Sequence, residues 1–462
     1  MRLLDKRRFY VLMAIISVYF FYDLVFGATG EGEAGGAHGG PILETLLELI
    51  IILLAAKLGG DFFERFHQPA VLGELVMGMI IGNLSMLGID AFEPFKNDQT
   101  LEVLAELGVI ILLFEVGLES TVREMMKVGV TSFLVATFGV IAPFFLGWWC
   151  GVMFLPHEGM LVHIFIGATL TATSVGITAR VLKDLGKVNT KEAKIILGAA
   201  VIDDILGLII LAVVTGVITA AAHGGEGGVS SGAILWIIAK AFLFILGAIV
   251  AGQFVLPQFF KLVFRIQGNG VFLSFCLMIC FLLAWIAGRI GLAPIVGAFA
   301  AGLILEEVQY HQFRERGDHP VEELLRPIAI FLVPIFFVRM GMMVDLRTFA
   351  NVEILGFAAT MTLLAIIGKQ ACSLAIFDRT THRLIVGVGM IPRGEVGLIF
   401  AEIGRKMVLN GEAVILPSTY SAVVIMVILT TLVTPPALKT LMLRADRKAA
   451  AKSSSTATAK QP

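Results

Sequence analysis

The sequence is poor in charge, in cysteine and in tyrosine and tryptophan. Only 15% of its 462 residues are Asp, Glu, Lys or Arg, whereas 57% are hydrophobic. That is too little charge to cover a water-soluble globule. The four cysteines, Cys150, Cys276, Cys280 and Cys372, all lie inside apolar runs. Cys276 and Cys280 share a helix face, but no His or further Cys accompanies them at metal-site spacing, so they read as small core residues. A formal net charge of −1 says little about partners, because in an apolar chain the location of charges matters more than their sum. No nucleic-acid partner and no cofactor are expected. No filter-like run of carbonyl-presenting residues argues for a channel.

What the chain has is apolar length. Its mean hydropathy is +0.90, and most of it falls into runs of the length a bilayer requires. Helices are predicted at 42–58, 69–89, 101–119, 128–154, 160–183, 191–220, 232–263, 270–288, 291–305, 327–343, 353–376, 383–404 and 415–442. The expected fold class is therefore an all-α polytopic membrane protein of thirteen transmembrane helices. Before them stands an N-terminal signal-like or anchor segment, MRLLDKRR with the apolar Phe9 to Phe26, and a Gly/His-rich loop to residue 40. The tail 444–462, ending AKSSSTATAKQP, is short and low in complexity, so no soluble regulatory domain is expected after the membrane part.

Alternate connections collect the basic residues: Arg65; Arg123 and Lys127; Lys183, Lys187, Lys191 and Lys194; Lys261 and Arg265; Arg314, Arg316 and Arg326; Arg379 and Arg383; and Arg444, Arg447 and Lys448. These connections, and with them the C-terminus, are predicted to face the cytoplasm. Arg347, Arg405 and Lys406 are exceptions. Taking 69–220 and 291–442 as two five-helix units, an intervening pair of helices makes them run oppositely, the inverted-repeat layout of many secondary transporters.

Polar groups inside the apolar runs then become the candidates. GAAVIDDILGLIILAVV carries Asp203 and Asp204 in mid-helix, and an aspartate at that depth costs about 2.5–3.5 kcal/mol on insertion scales. Two in succession suggest a proton or cation site. ATLTATSVGITARVL clusters Thr169, Thr171, Thr173, Ser174 and Gly176, where a helix can unwind and offer oxygens. GVGMIPRGEVGLIFAEIG interrupts its helix at Pro392 and Gly394, flanked by Arg393 and Glu395. Lys369 is the one charge within the run of EILGFAATMTLLAIIGKQACSLAIF, and an aspartate of the pair is its most economical partner, with snorkelling to the surface as the alternative. For Arg393 the candidate partners are Glu115 of LGVIILLFEVGLES, Glu395 and Glu74. Arg393 and Glu395 are expected to be structural, neutralising each other and the helix ends.

Taken together, QPAVLGELVMGMIIGN, LLFEVGLES, TATSVGITARVL, AAVIDDILGLI and MIPRGEVGLIFAEIG resemble, in order and over residues 42–443, the sodium/proton antiporters of the second monovalent cation:proton antiporter family. The resemblance implies a homodimer in the membrane, with two crossing interrupted helices and no cofactor. A core domain (helices within 128–220 and 353–442) moves against a dimerisation domain (42–119 and 270–343), and helix 232–263 links them. It implies that Asp204 is the principal ligand of the transported Na⁺ and that Asp203 pairs with Lys369, similar in place to the lysine of electrogenic members. Thr173 and Ser174 would line the same site, and Glu115, Arg393 and Glu395 would form structural ion pairs. Two departures are the extra N-terminal segment and the missing regulatory domain of the potassium-efflux branch.

Chemistry allows the same conclusion. A carboxylate holds either a proton or a desolvated monovalent cation, so one site exposed to one side at a time couples the two fluxes. Oxygen ligands suit Na⁺ or Li⁺. The expected function is cation/proton antiport serving pH and salt homeostasis in a bacterial inner membrane. K⁺/H⁺ exchange is the alternative, because carboxylates and hydroxyls do not fix the cation's size. An intramembrane aspartyl protease is disfavoured, since neighbouring residues on one helix point about 100° apart.

Overall fold

A computed structural model describes residues 41–66, 68–119, 129–223, 231–266, 270–305, 319–378, 381–409 and 411–458. The N-terminal signal-like segment and Arg123, Lys127, Arg314, Arg316 and Arg379 lie outside the described residues. Contacts divide the chain into Met1–Leu47 and Glu48–Pro462, and all the packing below is within the second unit.

The helices in order are α1 (Pro41–Arg65), α2 (Ala70–Gly82), α3 (Gln99–Glu119), α4 (Val130–Phe154), α5 (Met160–Thr169), α6 (Val175–Asp184), α7 (Lys191–His223), α8 (Ser231–Phe254), α9 (Leu256–Val263), α10 (Val271–Arg289), α11 (Pro294–Ile304), α12 (Val321–Met342), α13 (Val352–Gln370), α14 (Arg383–Gly389), α15 (Glu395–Lys406) and α16 (Pro417–Thr458). Among the described residues, α4, α7, α8, α10, α13 and α16 are long and apolar enough to cross a membrane, and α2, α5 and α11 are shorter apolar helices. The protein is thus a helical membrane protein. Every predicted helical stretch is met by one or two of these helices, with informative differences in length and continuity.

The predicted helix 69–89 stops at Gly82. Asn83 turns the chain there, its amide donating to the carbonyls of Met79 (2.8 Å) and Val344 (2.7 Å). The predicted helix 232–263 is two helices, because Pro257 in the first turn of α9 lacks the N–H that a continuous helix would use. Likewise 160–183 and 383–404 each resolve into two half-helices, α5/α6 and α14/α15. In the other direction α16 runs on to Thr458, so most of the low-complexity tail is helical. A small antiparallel hairpin, β1 (Val408–Leu409) with β2 (Glu412–Ala413), follows α15. It turns through Gly411, whose φ of +90° lies in the left-handed region.

Close packing sorts most of the helices into two groups. In the first, a Cβ at Gly78 of α2 would lie 2.0 Å from the Val338 carbonyl of α12, and one at Gly108 of α3 would lie 2.5 Å from that of Leu332. Gly117 and Gly302 bring α3 and α11 equally close, as Gly297 does α11 and α10. Such backbone approach is how helices associate where apolar side chains gain nothing by leaving lipid. The second group shares an apolar core of Val135, Ala136, Leu182, Ile196, Ala199, Cys372, Ile376, Val386, Met390 and Leu438, drawn from α4, α6, α7, α13–α14 and α16.

Candidate ion-binding site

The site is where the two broken helices meet. α5 ends as hydroxyls turn back on its carbonyls: Thr169 Oγ1 donates to Phe165 (3.0 Å) and Thr171 Oγ1 to Ala168 (2.7 Å). The chain is extended at Ser174 before α6 begins. On the other side α14 stops at Gly389, and Pro392 cannot donate to resume it. The two breaks then satisfy each other. The Ser174 amide donates to the Pro392 carbonyl at 2.8 Å, and Arg393 Nη1 donates to the carbonyls of Thr171 (3.1 Å) and Ala172.

Three threonines complete this accounting. Thr178 Oγ1 of α6 donates to the Gly389 carbonyl at 2.6 Å. Thr430 Oγ1 of α16 accepts from the Arg393 amide at 3.3 Å, and Thr431 Oγ1 donates to the Arg393 carbonyl at 2.5 Å. Backbone groups freed inside a membrane need such partners. Sequence reasoning missed all three threonines. Their signal was present as TTLVT within an apolar helix and as the threonine two residues after Gly176.

Beside the breaks lies α7 with its two carboxylates. Asp203 is fully buried and Asp204 is 6% exposed. Lys369 Nζ, also fully buried, donates to Asp203 Oδ1 at 2.8 Å, so it does not snorkel. Among the described residues Asp203 Oδ2 and Thr173 Oγ1 find no hydrogen-bond partner although both are buried. α4 reaches this pair closely because residue 139 is glycine: a Cβ there would stand 2.7 Å from Cys372 Sγ, 3.5 Å from Lys369 Nζ and 3.7 Å from Asp203 Oδ1. The charged groups around Asp204 are Asp203, Glu395, Lys369 and Glu119.

Ser174 Oγ donates to Glu395 Oε2 at 3.1 Å, so Ser174 and Glu395 share the edge of the break. The expected ion pairs of Arg393 are corrected. Among the described residues no carboxylate stands within salt-bridge distance of it, and its partners are backbone carbonyls, with Nε and Nη2 making no hydrogen bond. The reason is geometric. Arg393 points back across the break towards the end of α5, Glu395 is held by Ser174, and Glu115 is half-buried on α3 with Arg326 as its charged neighbour. Glu74 is buried in α2 with Lys57 and Glu64 as its charged neighbours.

A bundle in which two interrupted helices exchange backbone hydrogen bonds beside a buried carboxylate pair has the layout of a secondary ion transporter. The chain belongs to the sodium/hydrogen exchanger family, whose transmembrane description it matches over residues 49–444. It is similar to the high-affinity Na⁺/H⁺ antiporter NhaS3 of Synechocystis, 38% identical with 88% of this chain and 91% of that protein covered. It is also similar to the Na⁺/H⁺-K⁺ antiporter GerN of Bacillus cereus, 35% identical with 86% and 96% covered. In fold it is similar to the sodium proton antiporter MjNhaP1 of Methanocaldococcus jannaschii, with a TM-score of 0.63 at 16% identity, covering 86% of this chain and 96% of that one.

Proposed function

We propose that the protein is a secondary active antiporter that exchanges Na⁺ or Li⁺ for H⁺ across a bacterial inner membrane by alternating access, without a cofactor. The observation that carries this reading is the buried pair on α7: Asp204 beside an Asp203 already engaged by Lys369, against the meeting point of two broken helices. Asp204 is the ligand that holds either cation or proton. Thr173 Oγ1 and Asp203 Oδ2 supply further oxygens of the kind a desolvated Na⁺ accepts. When occupied, the site is closer to neutral and crosses the apolar barrier more cheaply than a bare charge. Exchange then outruns leak.

The finer architecture belongs to the same proposal. Thirteen transmembrane helices arranged as inverted five-helix repeats would have α5/α6 and α14/α15 as their crossing interrupted members. A core of α4–α7 and α13–α16 would move against a dimerisation domain of α1–α3 and α10–α12, with α8–α9 linking them. The glycine-mediated packing of α2, α3, α10, α11 and α12 supports a rigid second body. The basic connections and the C-terminus face the cytoplasm, and the protein is a homodimer.

A second reading, K⁺/H⁺ exchange, is favoured by the name of the Bacillus cereus relative. Proteoliposomes preloaded with acid, given Na⁺, Li⁺ and K⁺ in turn, decide between them. Alkalinisation of the lumen by Na⁺ and Li⁺ is expected, and a response to K⁺ alone would replace the sodium reading.

A further inference from the structure

At the end of α15 away from the break, six charged side chains from three elements form one network. Lys406 Nζ stands 2.6 Å from Glu102 Oε1 and 2.6 Å from Glu106 Oε1 of α3. Arg339 of α12 lies 3.6 Å from Glu102 and 3.7 Å from Glu402 of α15. Arg405 grips Glu402 with both a 2.9 Å and a 2.7 Å hydrogen bond. Arg339 is only 5% exposed, and among the described residues its Nε finds no hydrogen-bond partner.

What lies beneath this network gives it a role. Elsewhere α3 and α12 pack backbone to backbone, but here a cavity of about 530 Å³ is lined by α3, α12 and α15 together with Thr215 and Thr219 of α7 and the α10–α11 turn. Val109, Phe336 and Met340 line it from one side and Ile399, Ile403 and Met407 from the other. Across this seam α15 meets α3 and α12 through these ion pairs, and Tyr420 of α16 adds a hydrogen bond to the Met340 carbonyl of α12 at 3.0 Å. α15 is also a single rigid rod. From Lys406 to Glu395 it spans about 16 Å at 1.5 Å per residue, and its first residue is held by Ser174 in the ion site.

We propose that Lys406 and Arg339 are positioning residues for the exchange reaction: their ion pairs clasp α15 to α3 and α12 and set how readily the entrance opposite the basic connections opens. The inference rests on the exchange reading and orientation above. Each time the core moves past the second body, the clasp breaks on one stroke and re-forms on the other. Weakening it shifts the population towards the state open at that entrance. Apparent cation affinity then changes in opposite senses on the two faces, which a loss of folded protein cannot produce.

The test uses the full chain in right-side-out and everted vesicles, with apparent KM for Na⁺ measured on each face. Lys406→Met is expected to lower KM on the face away from the basic connections about fivefold and to raise it on the other. Lys406→Arg is expected to return both values towards the unmutated ones. A second readout does not depend on exchange: Ile399→Cys, lining the cavity, is labelled by a membrane-impermeant thiol reagent from that face, against the background of the four native cysteines. Labelling about fivefold faster with Lys406→Met is expected. Unchanged labelling, or KM values moving together on both faces, overturns the clasp. Failure of the unmutated protein to exchange Na⁺ counts against the function alone.

Discussion

Among single residues, Lys369 carries the sharpest electrostatic demand. Two fully buried charges 2.8 Å apart, with one hydrogen bond between them, lower the cost of each other's burial but do not gain much beyond it. Removing one member leaves the other charge uncompensated. Lys369→Met is therefore expected to destabilise the protein by about 3–5 kcal/mol while Asp203 stays ionised, and Lys369→Met combined with Asp203→Asn to recover most of that loss. Thermal unfolding in detergent checks it, and a double variant no more stable than the single one contradicts the pairing. Gly139 makes a steric prediction of the same kind. Gly139→Ala forces its new methyl against Cys372 Sγ, an overpacking cost of about 1–3 kcal/mol, and Cys372→Ala in the same chain is expected to relieve it. If the second substitution brings no recovery, the contact does not limit the approach of α4.

At the scale of elements, the α14–α15 break depends on groups far away in sequence. Arg393 fills the gap at the end of α5 with two hydrogen bonds from Nη1, and Thr430 and Thr431 hold its own backbone. Arg393→Ala is expected to lower melting temperature and expression more than it changes apparent cation affinity in the surviving protein. An unaltered melting temperature with a large loss of affinity would make Arg393 part of the ion site. Much of this was legible in the sequence. Pro392 and Gly394 announce a break, the hydroxyl cluster at 169–174 announces its counterpart, and Lys369 within an apolar run asks for an aspartate. The partners of Arg393 were not legible, because a search among carboxylates overlooks carbonyls that exist only once a helix has opened. The Arg405 and Lys406 exceptions to the charge pattern are also explained only in three dimensions: Glu402, Glu102 and Glu106 neutralise them. Glu102 and Glu106 lie about 300 residues away in sequence.

For the whole molecule, the question is how many charges cross per cycle. If Asp204 were the only titrating group, one proton would replace one Na⁺ and no net charge would move. With Asp203 and Lys369 coupled to it, a second proton can enter the set, and strongly coupled groups titrate together rather than singly. Two protons per cation are expected, each net charge exchanging about 2.3 kcal/mol per 100 mV. With the potential clamped by potassium and valinomycin, Na⁺-driven proton transport should differ between zero and a negative-inside value, and Lys369→Gln should reduce that difference. Equal rates and end-points at both potentials in the unmutated protein would mean one-for-one exchange.

In the proposed exchange, Asp204 is the group that alternates between cation and proton. Asp204→Asn keeps the size and removes the charge, so the protein should fold, elute as the unmutated protein does and yet lose exchange. The direct measurement is Na⁺-driven proton transport by purified Asp204→Asn in proteoliposomes, beside the unmutated protein at equal density. Transport at background level with an intact melting transition is the predicted result, and Na⁺/H⁺ exchange at the unmutated rate would contradict the assignment.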